Sequence, residues 1–372
     1  MGKAVNGKNL SVLFLTRYPI EGASSRYRVY QYIPHLEALG VDCTVQSFMS
    51  SDMYALSFSE GRVLKKAMAT LGAALARFKA LVSWRRYDLI YLQRDLFPFG
   101  PPLVERLLKK LGCRIVFDYD DALFIKKPSR YNPIATLLRS PGKTREMLRL
   151  ADCTVAGNDW LRDVARGEGG RAVTIEVAED TSRYRQTPQS SKDEPVTIGW
   201  LGSPSTVKYL KLIEEPLRRI AARHPDVQWE IVGGGDFAMD GVGWRLTDWS
   251  FDEEVAALSR FDIGLMPLPI DEWSKGKSGG KARTYMASGV VPVVAAIGYN
   301  LELIRPGETG YLCETQADWE TTIDMLITAP EVRQRIADAA LADVKHRFSP
   351  QGQAQKLADL FADLVSGSID AR

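Results

Sequence analysis

Short apolar segments alternate with helix-like segments along almost the whole of this 372-residue chain. The first apolar segment, Ser11–Thr16, is followed by a Gly/Ser turn and by a helical pattern over residues 26–39. Buried strands that alternate with helices favour parallel sheets covered by helices on both faces. The sequence therefore predicts an α/β fold built on parallel sheets.

The same alternation runs through both halves of the chain, and a polar stretch divides them. The further predicted strands are residues 42–47, 88–93, 114–118, 153–156, 172–177, 196–201, 229–232, 263–268 and 290–295. The polar stretch, residues 187–195, has the Pro, Ser and charged residues of an inter-domain linker. We expect domains over 1–186 and 196–345, with 346–372 a helical tail that could pack back on the first domain.

Composition places the chain among ordinary globular proteins. It is 45% hydrophobic and 25% charged, and its net charge of +2 gives no signal for nucleic acid. The cysteines at 43, 113, 153 and 313 lack paired or metal-like spacing, and three histidines are too few for a His-based metal site. No segment approaches the roughly 20 apolar residues of a membrane span. We expect a cytoplasmic protein with reduced cysteines.

A glycine- and lysine-rich loop, Trp273–Lys281, lies between a predicted strand and the helix-like run Ala282–Ser288. Glycines let backbone N–H groups approach an anion, and the helix N-terminus and the lysines add positive charge. The loop predicts a phosphate or pyrophosphate ligand. A purely structural glycine turn is the alternative.

A nucleotide-hydrolysing P-loop is a second alternative for this segment. Gly276-Lys277-Ser278 matches the end of the G-x-x-x-x-G-K-[ST] pattern. The first glycine of that pattern would fall at Asp271, where a carboxylate would repel the phosphates. This departure argues against a P-loop.

Four segments resemble a known family. Tyr285–Ala295 is similar to the "EAMASG-PVVA" segment of the family 4, or group 1, glycosyltransferases, and Gly298–Gly310 resembles its "GG-x-x-E-I-V…G…G" continuation. Gly202–Lys208 falls on the family's "GRL-x-x-x-KG" turn, and Gly22–Arg26 lies where the family has its first glycine-rich loop. The resemblance covers nearly the whole chain.

The resemblance implies the GT-B architecture, in which two Rossmann-like, doubly wound parallel-sheet domains face each other across a cleft. It implies transfer of a sugar from a nucleotide-diphosphate sugar to a glycan, glycolipid or small-molecule acceptor. Retention of anomeric configuration and independence from metal and other cofactors are further expectations. The alternatives are a donor-processing hydrolase or epimerase, and a catalytically lapsed nucleotide-sugar-binding protein.

The chain departs from the family pattern at the donor side. The family carries two glutamates with seven residues between them before "AMASG", and those positions are Gly276 and Thr284 here. The arginine of the family's "GR" pair is Ser203. The sequence is therefore interpreted as a divergent branch whose donor contacts have been rebuilt with lysines.

Sugar transfer builds negative charge on the leaving diphosphate, and cations aimed at that charge accelerate it. Lys208 matches the family's phosphate lysine, and we expect Lys281 to replace the arginine lost at Ser203. The alternative is that Lys281 and the nearby Lys277 are solvated loop lysines. The expected donor-binding residues are Gly202, Ser203, Ser205, Thr206, Lys277, Gly279, Gly280, Thr284, Gly298, Asn300 and Glu302. The alternative for Thr284 is a packing role. The alternative for Glu302 is an ordinary acidic residue at a helix N-terminus.

The acceptor is expected on the N-terminal domain, because the donor motifs all follow the linker. Asp120 and Asp121 follow a predicted strand, and either carboxylate could accept a proton from an acceptor hydroxyl. The other expected acceptor-side residues are Gly22, Ser24, Ser25, Arg26, Gln93, Arg94 and Asp118. An ordinary N-cap serine with a surface arginine, and a divalent-metal pair at Asp118 and Asp120, are the alternatives.

A basic amphipathic run, Arg62–Arg86, could lie on an anionic membrane surface. The run Lys126–Arg130 adds positive charge to the same domain. We expect peripheral contact with the inner face of a membrane as one reading of this helix. A covering helix whose polar face is basic is the other.

Overall fold

The computed structural model describes residues 9–57, 59, 61–125, 141–185 and 188–367. The chain divides into two compact units: the first takes in residues up to Ala178 and again from Pro350, and the second is Glu179–Ser349. The basic run 126–130, position 187 of the predicted linker and residues 368–372 of the predicted tail lie outside the described residues.

The first unit contains a parallel sheet of six strands in the order β2-β1-β3-β4-β5-β6. Its strands are β1 Leu10–Thr16, β2 Val41–Ser47, β3 Leu89–Gln93, β4 Ile115–Tyr119, β5 Cys153–Ala156 and β6 Ala172–Thr174. The register places Phe14 of β1 beside Val45 of β2 and Tyr91 of β3. The chain thus builds the sheet outward from β1 in both directions.

The second unit repeats this plan with the order β12-β11-β10-β7-β8-β9, again all parallel. Its strands are β7 Thr197–Leu201, β8 Gln228–Val232, β9 Trp244–Thr247, β10 Ile263–Met266, β11 Val291–Ala295 and β12 Tyr311–Cys313. The predicted α/β class with two doubly wound parallel sheets is confirmed.

Helices connect the strands in both units. Those of the first unit are α1 Ala23–Arg28, α2 Ile33–Ala38, α3 Ser51–Ser57, α4 Val63–Val82, α5 Leu103–Lys110, α6 Pro141–Leu150 and α7 Asp159–Gly167. Those of the second are α8 Glu214–Arg223, α9 Phe251–Leu258, α10 Glu272–Lys275, α11 Gly280–Ala287, α12 Asn300–Leu303, α13 Gln316–Thr328 and α14 Pro330–Arg347. Helix α15, Pro350–Ser366, returns to the first unit, where Phe361 packs 6.1 Å from Phe14 between ring centres.

Two predicted features differ in the structure. The expected helix over 26–39 is broken at Val29, whose φ of −135° is not helical, and a 3₁₀ turn, Tyr30–Tyr32, precedes α2. Strands β9 and β12 were not predicted, because β9 is short and largely exposed and β12 has only three residues. Edge strands of this kind lack the continuous apolar run of a central strand.

The described part of the polar stretch is tied to the second unit. The Ser190 backbone N–H donates to the Asp262 carboxylate at 2.7 Å, and the Ser190 hydroxyl donates to it at 2.9 Å. The Gln189 side-chain amide also donates to the Gly289 carbonyl at 2.7 Å. The domain boundaries predicted around 187–195 stay a prediction.

A fully buried ion pair lies in the first unit. The Arg28 guanidinium donates to the Asp118 carboxylate through Nε at 3.0 Å and also through Nη2. Its Nη1 donates to the Ile175 carbonyl at 2.7 Å, which links α1, β4 and the segment after β6. The charges are compensated only as long as both partners are present.

We predict that Arg28→Ala destabilises the first unit by about 3–5 kcal/mol, because it leaves Asp118 charged and buried. Arg106→Ala is the matched control, since its pair with Glu146 is partly exposed and such pairs contribute about 0–1 kcal/mol. Urea unfolding followed by circular dichroism measures both. Equal losses in the two variants would contradict the prediction.

Candidate functional site

The second sheet reverses its direction of growth between β7 and β10, and open α/β sheets bind ligands beyond the carboxyl ends of strands at such a point. The two strands pair only at Ile263–Ile198 and Gly264–Gly199, and no pairing beyond that is present in the described residues. Toward their carboxyl ends the strands therefore open, and the predicted donor loops follow directly.

Tyr285 of α11 fills this opening. Its hydroxyl accepts a hydrogen bond from the Leu201 backbone N–H at 3.0 Å and donates to the Leu265 carbonyl at 3.2 Å. Its ring occupies the space that a side chain at Gly264 would need, because an added Cβ there would lie 2.5 Å from the ring. The "EAMASG"-like segment thus fixes the spacing of the two strand ends.

The loop after β7 carries a group of hydroxyls. Ser203 Oγ lies 2.8 Å from Ser205 Oγ and 3.3 Å from Thr206 Oγ1, and both serines are exposed. A Cβ added at Gly202 would lie 2.8 Å from Cε of Lys281. The glycine therefore leaves room for the Lys281 side chain to lie across the end of β7.

Aromatic rings join the loop after β7 to the loop after β10. The Trp273 and Tyr209 rings lie 6.2 Å apart between centres. Lys277 Nζ lies 3.8 Å from the centre of the Trp273 ring, and Lys208 Nζ lies 5.7 Å from that of Tyr209. Because the loops adjoin, the structure brings the predicted lysines to one end of the second sheet.

Lys281 lies at the start of helix α11, partly buried, with its Nζ 5.1 Å from the centre of the Trp200 ring. Burial and the positive charge of Lys277 lower the pKa of Lys281 to about 8. Across the described ranges, neither Lys281 nor Lys208 forms an ion pair with a carboxylate. An uncompensated cation in this position favours an anionic ligand.

Gly279 precedes helix α11 as its N-cap, in the left-handed conformation with φ of 66° and with no side chain to cap the helix. A Cβ at this position would lie 2.8 Å from a methyl group of Leu303, so close packing also requires glycine. The first backbone hydrogen bond of the helix reaches the Gly279 carbonyl from Arg283. The preceding N–H groups, including that of Gly280, lack helical acceptors and are suited to an anion.

Three other expected donor residues have roles inside the fold. The Thr284 hydroxyl is buried and donates to the Glu179 carboxylate at 3.2 Å, and the Asn300 amide donates to the Ala295 carbonyl at 2.9 Å. Gly298, with φ of 56°, packs against the backbone of Lys275. These contacts support the packing alternative for Thr284, whereas Glu302 is exposed on the short helix α12.

Glu179 is a buried residue that the sequence analysis missed. Tyr184 donates to its carboxylate at 2.8 Å, and burial raises the pKa of Glu179 to about 7. Its contact with Thr284 spans 105 positions of sequence, so no local motif indicated it. The carboxylate lies beside one of the two positions where the family has a glutamate.

In the first unit, Gln93 forms hydrogen bonds with two of the predicted acceptor-side residues. Its Oε1 accepts from the Ser25 hydroxyl at 2.9 Å, and its Nε2 donates to Ser24 Oγ at 3.0 Å. The Ser24 hydroxyl in turn donates to the Asp120 carboxylate at 3.3 Å. Gly22 permits this turn, since a Cβ there would lie 2.3 Å from that of Tyr18.

The neighbouring carboxylates differ in what they contact. The Asp118 carboxylate accepts from Arg28, and this contact joins β4 to α1. The Asp121 carboxylate accepts from Arg94 Nη2 at 3.2 Å. Burial and the negative charge of Asp121 raise the pKa of Asp120 above its ordinary value. A partly buried carboxylate of raised pKa beside a hydroxyl is suited to proton transfer.

Two arginines complete this region. Arg94 has the left-handed φ of 68°, an uncommon conformation for a residue with a side chain and one that is enriched at functional sites. The Arg26 guanidinium donates to the carbonyls of Ile20 and Glu21 at 3.4 and 3.3 Å. Within the described residues, no group of three His, Cys, Asp or Glu side chains could hold a metal ion.

Comparison with known proteins now identifies the second unit. Residues 195–329 match the family model described as "Glycosyl transferases group 1". This segment is a group 1 glycosyltransferase domain. The predicted glycosyltransferase class is confirmed, and the match includes the lysine-bearing loops and helix α11. A search of curated proteins finds no match to the chain.

Solved structures of glycosyltransferases share this fold and confirm the predicted GT-B class. Anabaena HepE in complex with UDP and glucose is 15% identical, covers 95% of this chain and 100% of its own, and has a TM-score of 0.64. A glycosyltransferase from Rickettsia africae is 12% identical over 96% of this chain and 99% of its own, with a TM-score of 0.68. Sucrose-phosphate synthase from Thermosynechococcus elongatus is 16% identical over 96% and 100%, with a TM-score of 0.68.

We predict that Lys281→Met stabilises the second unit at pH 7. The folded-state pKa is lowered to about 8 from 10.5, so the buried ammonium opposes folding fully below pH 8. Between these two values the folded state alone loses the proton, and wild-type stability rises with pH toward that of the variant. Thermal melts from pH 7 to above the ordinary lysine pKa measure the difference.

Lys345→Met, at an exposed position of α14, is the matched control and should show no such pH dependence relative to wild type. A constant difference between wild type and Lys281→Met across the range would contradict the prediction.

Proposed function

We propose that the protein transfers a sugar from a UDP-sugar to an acceptor, with retention of anomeric configuration and without a metal ion. The observation that carries this proposal is the group of lysines on adjoining loops at the switch point of the second sheet, where Lys281 has no carboxylate partner among the described residues. UDP is proposed because HepE is described in complexes with UDP and with UDP-glucose. A thermal-shift screen of nucleoside diphosphates distinguishes UDP from other nucleotides.

The proposed donor site holds the diphosphate by charge and by backbone N–H groups. The amides at the start of α11 and the ammonium of Lys281 would contact the phosphates, with Lys208 and Lys277 on the adjoining loops. The hydroxyls of Ser203, Ser205 and Thr206 would supply neutral donors where the family has an arginine. Such preorganised donors stabilise the charge that develops on the leaving group.

The proposed lack of a metal requirement rests on the same cations. Lysines that already neutralise the diphosphate leave no charge deficit for a divalent ion to fill. Asp118, half of the alternative metal pair, is fully buried against Arg28. Activity is expected to survive EDTA in metal-free buffer, and a loss restored by Mg²⁺ or Mn²⁺ would contradict this part of the proposal.

The proposed acceptor side is the Gln93 cluster of the first unit. Asp120 would accept the proton of the attacking hydroxyl, with the Ser24 hydroxyl orienting the carboxylate. Asp121 and Arg94 would position the acceptor, and Arg26 lies on the same turn. The raised pKa of Asp120 supports a role in proton transfer rather than in a fixed ion pair.

Lys281→Met and Lys208→Ala should each lower kcat/KM for UDP-sugar turnover by about 10²-fold or more, since each removes a cation from the developing phosphate charge. Lys345→Met should leave turnover unchanged. Calorimetry at pH 8 in buffers of different ionisation enthalpy adds a second readout. Bound diphosphate should raise the pKa of Lys281, so wild type takes up protons on binding UDP.

Lys281→Met should lose that proton uptake, whereas Lys208→Ala should keep it. Full activity in Lys281→Met, or the same uptake in that variant, would overturn the donor-site assignment. A thermal-shift screen of nucleoside diphosphates tests the base, because a ligand at 100 times its Kd stabilises by about 2.7 kcal/mol.

Asp120→Asn should lower transfer to acceptor while leaving UDP affinity almost unchanged, because it removes a group that acts on the acceptor. Wild-type transfer should rise with pH as Asp120 loses its proton, with a midpoint above that of an ordinary aspartate, and this limb should vanish in the variant. Asp121→Asn should lower transfer without removing the limb. A large drop in UDP affinity in Asp120→Asn would instead assign this carboxylate to the donor.

The alternatives differ in what the acceptor does. A hydrolase or epimerase would turn over UDP-sugar at the same rate without acceptor, and a lapsed binding protein would bind UDP without turnover.

A cytoplasmic location with peripheral contact on the inner face of a membrane is part of the proposal. None of the described helices is both long enough and apolar enough to cross a bilayer.

A further inference from the structure

Helix α4 exposes a continuous apolar stripe along its whole length. Six large apolar side chains, spaced alternately four and three residues apart, are between 48% and 85% exposed. They are Leu64, Met68, Leu71, Leu75, Phe78 and Val82. This spacing puts them on one face of the helix. Large apolar groups left in water on one face indicate a surface that binds something.

The opposite face of α4 holds the helix to the first unit. Leu81 is buried there, and the buried Arg77 donates through Nη2 to the Thr16 carbonyl at 2.6 Å. The Arg77 guanidinium also lies 5.7 Å from the centre of the Phe48 ring. Because this face is already packed, the exposed stripe is a second apolar face rather than part of the core.

The charges around the stripe all have one sign. From residue 61 to residue 87 the chain carries seven lysines and arginines and no aspartate or glutamate. Lys65 and Lys79 are exposed beside the stripe, and Arg62, Arg85 and Arg86 are exposed near the helix ends. An apolar face bordered by cations is complementary to a bilayer with anionic headgroups.

We propose that α4 docks on an anionic lipid bilayer and that the acceptor of the reaction is anchored in that bilayer. The second part rests on the proposed function, since it concerns the acceptor side of the first unit. The helix lies on the membrane and does not span it, in keeping with its mean hydropathy and its cations.

The position of α4 in the first unit supports the anchored acceptor. Phe78 of the stripe packs 4.8 Å from Phe97 between ring centres, and Phe97 belongs to the loop that follows β3. Gln93 ends that strand, and Arg77 contacts the carbonyl at the end of β1. Docking through α4 therefore brings the carboxyl edge of the first sheet, with Ser24 and Asp120, toward the lipid surface.

A second copy of the chain is a weaker candidate for this surface. The alternating spacing of four and three residues would suit a coiled coil, which also needs opposite charges beside its apolar seam. Two copies of α4 would instead place Lys65 and Lys79 near other cations, with no acidic residue on the helix to pair with them. The charge pattern therefore favours the bilayer.

The test compares wild type with the double variant Leu71→Glu, Leu75→Glu by flotation with vesicles of phosphatidylcholine, with or without phosphatidylglycerol. Wild type should float only with the anionic vesicles and be released by salt. The double variant should lose at least about 10-fold in apparent affinity. Leu246→Glu, at a partly exposed leucine of β9 in the second unit, is the matched control and should float like wild type.

The fold of each variant is checked by its thermal melt and by stabilisation with UDP, which reports the second unit. Equal flotation of wild type and the double variant would overturn the docking proposal. A wild-type dimer in light scattering that the double variant abolishes would overturn it in favour of a second copy.

The anchored acceptor is tested with radiolabelled UDP-glucose and vesicles of total lipid from the expressing cells. Wild type and Leu246→Glu should transfer label to material that partitions into organic solvent, and the double variant should lose this transfer while keeping UDP stabilisation. Label found only in water-soluble product would overturn the anchored acceptor. Absence of both UDP stabilisation and turnover in wild type would instead defeat the proposed function, whatever the flotation result.

Discussion

The arrangement of strands and loops at the end of the second sheet depends on the two hydrogen bonds of the Tyr285 hydroxyl. Parallel strands normally stay joined by their own ladder, but β7 and β10 separate after two residue pairs. One side chain from α11 replaces the missing link by bonding to Leu201 and Leu265. The opening that results is where the loops after both strands meet, and α11 brings Gly280 and Lys281 to it. Strand spacing, helix position and the location of the lysines are therefore set together.

The two units differ in how the charged side chains at the carboxyl ends of their strands are compensated. At the end of the second sheet, Lys281 is left without an ion-pair partner among the described residues. In the first unit Arg28 compensates Asp118 and Arg94 compensates Asp121, and Gln93 forms hydrogen bonds with the hydroxyls of Ser24 and Ser25. In the part of the chain that the structure describes, the charge of Lys281 is therefore left uncompensated, whereas that of Asp121 is compensated within the first unit.

Much of the fold could be predicted because central strands of parallel sheets are apolar throughout. The predicted strand 153–156 coincides with β5, and the strands around β3 and β4 differ by a residue or so. The sequence did not predict β9 and β12, which lie at the two edges of the second sheet and lack the continuous apolar run of a central strand. The break after Arg28 was missed although Pro34 indicates it, because proline has no N–H for a helical bond to Tyr30 and is suited to the first turn of a new helix, where it lies in α2.

The residues of the candidate site could be proposed from the sequence where they lie in short motifs, and not where their surroundings depend on long-range contacts. The glycines and lysines of the loops could be read from their spacing. The partners of Thr284 and Asp118 could not, because Glu179 and Arg28 lie 105 and 90 positions away in the sequence. A polar residue in a motif looks the same whether it faces a ligand or is satisfied inside the fold, and only its partners distinguish the two.

The return of α15 to the first unit affects how the chain can fold during synthesis. Phe361 packs against Phe14 and Tyr91, so part of that core comes from a helix that is synthesised after the whole of the second unit. Until then the apolar surface around β1 and β3 lacks the cover of α15, although the second unit has been synthesised. At about 5–20 residues per second this interval lasts many seconds. The core of the first unit therefore cannot be completed until the chain has passed through the whole of the second unit.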